Sequence, residues 1–343
     1  MKRYRQGLVV GKFCPLHLGH MHLIRTALDA CDEVLVVSYT KPEFARCGPQ
    51  ARDAWLAALF PQARRLVVDD ARLPVPDNDA ADAIHREFTA WLCWGVAGVT
   101  VDAVFTSESY GDGFALALGD YLSARTGGHH RVVHVSVDPE RCVVPVSGTG
   151  VRNDPYAWRR FLDPVVYADF VDRICILGGE SSGKTTLVEA LATALETVAV
   201  PEVGRAHWEA RGGVFTYEDM RVIAEGQVAL EDTLAQEARR WLVCDGSALT
   251  TVFYSEDGYG KVDPAVQALA ERPYAVTFVC APDIPFVQDG TRRDAAFRQR
   301  QHAWYLDTLE RAGVHYVILR GSVEERVGTA LDVLASRPAT AGS

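Results

Sequence analysis

Two stretches of the chain combine glycines with side chains that could act on phosphate groups. The more informative one is GGESSGKT at residues 178–185, which follows an apolar run and precedes a helical pattern. Glycines let backbone N–H groups surround phosphate oxygens, and the N-terminus of a following helix adds a positive dipole end. In this strand–loop–helix order, Lys184 is placed to reach the β- and γ-phosphates and the Thr185 hydroxyl to ligate Mg²⁺. We therefore predict a nucleotide site formed by Gly178, Gly179, Glu180, Ser181, Ser182, Gly183, Lys184, Thr185 and Thr186.

The second stretch, GKFCPLHLGH at residues 11–20, follows a buried strand and opens a helical pattern. Residues three apart lie near one face of a helical turn, so His17 and His20 are neighbours there. Gly19 between them carries no side chain and leaves room for a phosphate. Two imidazoles at this place could stabilise charge that develops on an α-phosphate and its departing pyrophosphate. A metal-binding pair and two helix-capping histidines are the alternative interpretations of the spacing.

Charged residues follow several of the later predicted strands. Asp245 ends a short apolar run, at a position that holds the Mg²⁺ shell or orients the acceptor hydroxyl in phosphate-loop proteins; a helix N-cap is the alternative. Glu202 and Arg205 come after another strand, where they would contact an acceptor or form a surface salt bridge. Arg292 and Arg298 follow the next strand and predict a lid that closes over the phosphates. A solvated basic face is the alternative for this last pair.

Strands alternate with amphipathic helices along the whole chain, which predicts the α/β class with mostly parallel sheets covered on both faces. The strands of the first half are predicted at residues 7–11, 33–39, 66–69, 103–106 and 132–137. In the second half a long helix is predicted at about 217–240. A length of 343 residues is that of about two domains of ordinary size.

The composition excludes several classes of protein. The formal net charge is −10, from 35 basic and 45 acidic residues, which argues against a general nucleic-acid binder. The eight cysteines show no CxxC spacing, so neither a disulfide framework nor a zinc motif is indicated. The N-terminal apolar run is too short for a signal peptide or a membrane span. We expect a cytoplasmic protein without membrane insertion, and homo-oligomerisation stays open.

The pattern G-x-F-x-P-x-H-x-G-H after the first strand resembles the HxGH-type nucleotidyltransferases, which transfer an adenylyl or cytidylyl group from a nucleoside triphosphate. That superfamily places an S-x-T-x-x-R motif near the end of the domain, and this chain reads SGTGVR at 147–152. A helix cap followed by a surface arginine is the alternative. The resemblance implies that Lys12, His17 and His20 stabilise the developing charge. It also implies a nucleotide site formed by Gly11, Phe13, Gly19, Ser147, Thr149 and Arg152.

A phosphate-loop kinase after such a domain resembles the NadR-type bifunctional proteins. The resemblance covers about residues 7–335 and is carried by GKFCPLHLGH, VVSYTKPEF, VFTSESYGD, VPVSGTGVR, ILGGESSGKTTL and DIPFVQDGTRR. It implies a Rossmann-like adenylyltransferase domain at 1–160, a packed connector at 161–172, a kinase domain at 173–337 and a flexible tail at 338–343. The first domain would join nicotinamide mononucleotide (NMN) and ATP into NAD and pyrophosphate. The second would phosphorylate ribosylnicotinamide to NMN with ATP and Mg²⁺.

Two departures from that family pattern matter. The first strand begins too early for an N-terminal helix-turn-helix domain, so DNA-bound repression is not expected. Relatives tend to read D-T-D where this chain reads Asp245-Gly246-Ser247, which removes one carboxylate from the kinase. An adenylyltransferase with an impaired kinase is therefore one alternative. A different phosphorylated acceptor and a nucleotide-sensing regulatory protein are two others.

Selection of the nicotinamide ring is not visible in the sequence. Trp55, Trp91 or Tyr110 could stack on a base, or could belong to the core.

Overall fold

The computed structural model describes residues 2–288 and 292–337, which form two compact units with a boundary between Asp169 and Phe170. The boundary falls inside the predicted connector. The predicted tail at 338–343 and the central D-G-T of the DIPFVQDGTRR stretch lie outside the described residues. Each unit contains a five-stranded sheet in which every strand pairs in parallel, so the predicted α/β class is confirmed.

The first unit has the strand order β3-β2-β1-β4-β5. Its strands are β1 (Tyr4–Val10), β2 (Cys31–Ser38), β3 (Arg64–Val67), β4 (Ala103–Thr106) and β5 (Val133–Ser136). Its helices are α1 (Leu18–Ala30), α2 (Pro49–Leu59), α3 (Asp82–Trp91), α4 (Gly111–Thr126), α5 (Gly148–Asn153) and α6 (Pro164–Tyr167). The chain reverses its direction of travel across the sheet between β1 and β4. Ligands of open α/β sheets bind at such a switch point, beyond the carboxyl ends of the strands.

The second unit has the strand order β10-β9-β6-β8-β7. Its strands are β6 (Asp172–Gly178), β7 (Ala199–Val200), β8 (Trp241–Asp245), β9 (Val276–Cys280) and β10 (Tyr316–Leu319). Its helices are α7 (Lys184–Ala194), α8 (Val203–Ala210), α9 (Tyr217–Ala235), α10 (Ala248–Tyr259), α11 (Pro264–Ala270), α12 (Ala295–Arg311) and α13 (Val323–Ala335). The central strand β6 ends at the phosphate loop.

Both central strands are apolar because helices cover both faces of each sheet. Leu8 and Val9 in β1 are fully buried, as are Ile174 and Ile176 in β6. Burial on both faces fixes where each strand ends, and therefore where the loop that follows it is placed.

The largest differences between the predicted and observed boundaries are at β1 and α9. Strand β1 begins at Tyr4, three residues earlier than predicted, because Tyr4 already pairs with Cys31 in β2. Helix α9 ends at Ala235 and not near residue 240, since the following residues turn toward β8. Among the described residues, no helix is both long enough and apolar enough to cross a membrane.

Candidate nucleotide-binding sites

His17 and His20 begin helix α1 and cap it reciprocally. The His17 Nδ1 atom accepts the backbone N–H of His20 at 3.3 Å, and the His20 Nδ1 atom accepts that of His17 at 3.5 Å. The two rings stack with centroids 3.7 Å apart and an interplanar angle of 14°. The histidines therefore cap the helix, as one alternative interpretation had it, and the cap itself holds both rings parallel.

The cap also determines which ring nitrogen carries the proton. A neutral imidazole has one donor and one acceptor nitrogen, and both Nδ1 atoms are acceptors here, so both Nε2 atoms carry hydrogen. Burial lowers the pKa of His17 to about 4. Burial and the neighbouring His17 hold the pKa of His20 well below its ordinary value. At neutral pH the pair thus presents two Nε2–H donors without a net charge.

The loop before these histidines is tightly packed. The Phe13 side chain is fully buried, with a φ of 49°, and its ring meets the edge of the His20 ring at 5.1 Å. A Cβ on Gly11 would lie 2.8 Å from the Phe13 ring, and one on Gly19 would lie 3.1 Å from the His17 ring. Phe13 was predicted to contact the nucleotide, and because its side chain is buried, only its backbone can make that contact.

The predicted second motif lies beside the first. Arg152 donates through Nη1 to the Cys14 carbonyl at 2.6 Å and through Nη2 to the Thr149 hydroxyl at 3.1 Å. Ser147 caps helix α5 by accepting the backbone N–H of Gly150 at 3.2 Å. A Cβ on Gly148 would lie 3.8 Å from His17 Nε2, so the start of α5 faces the imidazole donors.

Lys12 adds a second cation to Arg152 at this site. Burial, together with the positive charge of Arg152, lowers the pKa of the Lys12 ammonium. Arg141 is also close enough to disfavour protonation of His17. A cluster of cations next to two neutral N–H donors is an arrangement that stabilises phosphate oxygens.

Arg52 was not predicted, although it supports this loop. The Arg52 side chain is fully buried and donates to the Lys12 carbonyl at 3.5 Å, to the Ser38 hydroxyl at 3.0 Å and to Glu43 at 2.7 Å. The Ser38 hydroxyl donates to the same Lys12 carbonyl at 3.1 Å. The sequence contained a signal, because Arg52 shares the buried face of α2 with Trp55 and Leu56 at helical spacing.

In the second unit, the phosphate loop opens into a cavity of about 260 Å³. Many of the predicted residues line it, namely Glu180, Ser181, Ser182, Gly183, Lys184, Thr185, Thr186, Glu202, Arg205, Asp245 and Arg292. The sequence did not single out the other wall, which contains Trp208, Phe215, Met220, Ile223 and Tyr254. These residues come from α8, α9, α10 and the α8–α9 loop, and only the fold brings them together.

Asp245 and Thr185 are adjacent in this cavity. The Thr185 hydroxyl donates to Asp245 Oδ2 at 2.6 Å, and Asp245 Oδ1 is buried without a hydrogen-bond partner among the described residues. A carboxylate oxygen that lacks a partner, next to a hydroxyl, is the donor set that Mg²⁺ prefers, so the residues fit the predicted metal. Within residues 2–288 and 292–337, no cluster of three or more His, Cys, Asp or Glu side chains could hold a metal ion. Mg²⁺ usually keeps several waters and shares phosphates with its nucleotide, which agrees with so small a protein ligand set.

Glu202 has a different environment from Asp245. Within the described part of the chain, its carboxylate lines the cavity without an assigned hydrogen bond. Burial raises the pKa of the Glu202 carboxyl, against the opposing effect of Lys184. Ser247, which stands where relatives were expected to carry an acid, caps α10 by accepting the Leu249 N–H at 3.2 Å. A serine at this position is therefore a helix cap, which an aspartate would equally supply.

The two predicted lid arginines lie in different places. Arg292 lines the cavity and donates to the Ser181 hydroxyl at 3.3 Å. Arg298 is buried behind the phosphate loop, where it donates to the carbonyls of Ser181 at 3.3 Å and Ile284 at 2.9 Å. Because α12 turns this side chain toward the core, Arg298 supports the loop from behind and is not among the residues that line the cavity.

Of the three candidate stacking residues, one is buried and two are exposed. Trp55 is buried and donates its indole N–H to Asp169 at 2.7 Å, so it belongs to the core. Trp91 and Tyr110 are 37% and 47% exposed, so the alternative of a core position is wrong for both.

Comparisons with known proteins cover both units of the chain. A family model described as "AAA domain" matches residues 173–326. The "Trifunctional NAD biosynthesis/regulator protein NadR" of Escherichia coli (strain K12) is 28% identical over 334 residues, which covers 91% of this chain and 78% of that protein. The chain is a homologue of NadR. Two crystal structures of NadR, "in complex with NR" and "in complex with NAD and AMP-PNP", have TM-scores of 0.73 and 0.72 at 18% and 19% identity. Each comparison covers 97% of this chain and 96% of the NadR chain, and so shows that NadR and this protein share their fold.

Proposed function

We propose that this NadR homologue carries out two successive ATP-dependent reactions of NAD biosynthesis. The second unit phosphorylates ribosylnicotinamide to NMN, and the first unit joins NMN to ATP and gives NAD and pyrophosphate. The observation that supports this most directly is the Nε2–H pair of His17 and His20 next to Arg152 and the start of α5. The relative's printed role in NAD biosynthesis and the ligands named for the NadR crystal structures agree with the proposal.

In the first unit, a phosphate oxygen of NMN attacks the α-phosphorus of ATP. One P–O bond forms, the bond to the β-phosphate bridge breaks, and pyrophosphate leaves with the electron pair. No proton has to be removed from the attacking phosphate, so the side chains act on charge alone. His17 and His20 donate to the α-phosphate through Nε2, and Lys12 and Arg152 offset the charge that accumulates on the pyrophosphate.

In the second unit, the ribose hydroxyl of the acceptor attacks the γ-phosphorus of ATP, the bond from that phosphorus to the β–γ bridging oxygen breaks, and ADP leaves with the electron pair. Lys184 and the backbone of the phosphate loop bind the β- and γ-phosphates, and Arg292, which donates to the Ser181 hydroxyl of that loop, adds a second cation beside them. Thr185 and Asp245 would hold Mg²⁺, which when bound neutralises charge on the phosphates. Glu202 is the carboxylate that takes the hydroxyl proton, because Asp245 is committed to Thr185 and burial raises the pKa of Glu202 toward that of a useful base.

The acceptor side of the cavity suits a flat heteroaromatic ring on a sugar. Trp208, Phe215, Met220 and Ile223 form an apolar part of the cavity lining. Rings of this size prefer offset or edge contacts with aromatic side chains. The carboxylates of Glu180 and Glu202 also favour a ring that carries positive charge, as the pyridinium of ribosylnicotinamide does.

The test is a coupled assay with ribosylnicotinamide, ATP and Mg²⁺ in which NMN and NAD are followed by chromatography. We expect NMN to form first and NAD to follow, and Lys184→Ala to stop the first product. If externally added NMN gives NAD but ribosylnicotinamide gives no NMN, the kinase is impaired and half of the proposal is wrong. Binding of NAD and ATP without formation of NMN or NAD would instead favour a nucleotide sensor.

A further inference from the structure

A single buried guanidinium connects the phosphate loop of the second unit to two other segments. Arg326, on the first turns of α13, is 1% exposed. Its Nη1 atom donates to the Ser182 carbonyl at 2.6 Å, and its Nη2 atom donates to the Ala281 carbonyl at 3.1 Å and to Asp283 at 2.5 Å. The other oxygen of Asp283 accepts the backbone N–H of Gly321 at 2.9 Å. Arg326 is not among the residues that line the cavity, so it would act through the loop.

The bond to the Ser182 carbonyl has a direct consequence for the next N–H group. A trans peptide is planar, so its C=O and N–H point in opposite directions. Because the Ser182 carbonyl points back to Arg326, the Gly183 N–H of the same peptide points away from Arg326, toward the cavity. That N–H belongs to the group of amides that binds phosphate oxygens in loops of this kind.

The loop conformation on either side needs such support. Ser181 and Gly183 both have positive φ, at 56° and 80°. The left-handed region is sterically unfavourable for a residue with a side chain, so Ser181 keeps this conformation only while its surroundings hold it. If the peptide between Ser182 and Gly183 rotated, a carbonyl oxygen would face the phosphates in place of an N–H and would repel them.

We propose that Arg326 is a positioning residue for the phosphate loop, which fixes the Ser182–Gly183 peptide so that the second unit binds ATP and transfers its γ-phosphoryl group. The role in transfer depends on the proposed kinase function, whereas the role in ATP binding does not. Asp283 keeps the guanidinium in place and offsets the cost of burying its charge.

The experiment compares Arg326→Lys with Arg272→Lys in the full chain. Arg272 is also a largely buried, ion-paired arginine of the second unit, bonded to Glu231 and Asp232, but it is not among the cavity residues. ATP binding at the second site is taken as the difference between each protein and the same protein with Lys184→Ala. For Arg326→Lys we expect about tenfold weaker ATP binding, the size of effect when a charge-assisted hydrogen bond is lost. The kcat for phosphorylation of ribosylnicotinamide should fall at least as much, with its KM unchanged, and Arg272→Lys should change neither ATP binding nor kcat.

The comparison of the two variants decides whether Arg326 positions the phosphate loop. Wild-type ATP affinity in Arg326→Lys, or losses equal to those of Arg272→Lys, would overturn the proposal. If Arg326→Lys melts well below the wild type, Asp283→Asn is tested in its place, because this variant keeps the guanidinium and weakens only the ion pair that holds it. We expect Asp283→Asn to weaken ATP binding and to lower kcat by smaller factors. Unchanged ATP binding in Asp283→Asn would also overturn the proposal. If the wild type does not phosphorylate ribosylnicotinamide, the proposed function is wrong, and the ATP-binding comparison still decides the role of Arg326.

Discussion

In both units, the loop that we propose to bind phosphate follows the central strand of a parallel sheet, but the two proposed sites would bind charge with different parts of the chain. In the first unit the donors are side chains, the Nε2–H groups of His17 and His20, which a reciprocal helix cap aligns. In the second unit the backbone of the loop itself forms the binding surface, next to Lys184. Side-chain donors can be removed by single substitutions, whereas backbone donors can be disturbed only through the residues that hold their conformation.

The largest effects should separate the two sites. Lys184→Ala removes the only lysine that lines the second cavity within the described residues, and His20→Ala removes one donor from the first site. We expect each substitution to reduce its own reaction by about 10²–10³-fold, the usual loss when one transition-state donor is removed. Separate assays, NMN formation from ribosylnicotinamide and NAD formation from added NMN, measure the two rates.

The opposite reaction in each variant is the matched control, because the substituted residue lies in the other unit. A single substitution that abolished both reactions with the protein still folded would contradict the assignment of one reaction to each unit.

A smaller effect is expected from Asp245→Asn, which tests how the second loop holds its metal. The amide keeps the volume and one acceptor for the Thr185 hydroxyl but removes the negative charge. We expect the Mg²⁺ concentration for half-maximal phosphorylation to rise about 10- to 100-fold, as when a supporting ligand of a metal site is lost. Titration of kinase activity with Mg²⁺ measures this shift.

Ser247→Asp is the matched control for that experiment. Ser247 caps α10 through Leu249, and an aspartate would cap it equally well. We expect the Mg²⁺ requirement to stay near that of the wild type. A large gain of activity in Ser247→Asp would mean that the missing carboxylate matters and that Glu202 does not supply the base.

Arg52→Lys tests whether the first loop, like the second, depends on a buried arginine. The lysine keeps the charge beside Glu43 but cannot reach the Lys12 carbonyl, Ser38 and Glu43 together. We expect kcat for NAD formation to fall about tenfold, as for one lost hydrogen bond to a charged group. Arg65→Lys, which changes the exposed ion pair with Asp53 in the same way, is the control. Equal losses in both variants would contradict a specific role for Arg52.

Both candidate sites could be predicted from the sequence because their motifs depend on local spacing. Glycines, a lysine and a threonine within eight residues indicate one candidate site, and two histidines on one helical turn indicate the other. The sequence did not predict the apolar wall at Trp208 and Phe215, whose distance from the loop depends on how α8 and the loop after it pack.

The arginines show the same limit. Arg292 and Arg298 are close in sequence and equally basic, yet one lines the cavity and the other bonds carbonyls behind the loop. Arg52 was missed although its helical spacing with Trp55 and Leu56 placed it on a buried face, and spacing does not tell which loop a buried arginine supports. Arg326 was missed because we found no signal in the sequence that separates it from a surface arginine. The direction of a side chain from its helix decides this, and it depends on tertiary packing.

The last predicted effect is a pH dependence of the first loop, which the second loop does not share because it contains no histidine. The pKa of His17 is about 4 in the folded protein, against an ordinary value of 6.5. Above pH 6.5 the His17 ring is neutral in both the folded and the unfolded state, so its titration does not change the stability. As the pH falls from 6.5 toward 4, only the unfolded chain takes up the proton, so the first unit loses stability, and the loss levels off below about pH 4.

His17→Asn keeps a capping oxygen but cannot titrate, so its stability should depend less on pH in this window. Hydrogen exchange in α1 measures the change, with His22→Asn on the same helix as the control. An equal pH dependence in His17→Asn and the wild type would show that burial does not exclude the proton from His17 in the folded protein.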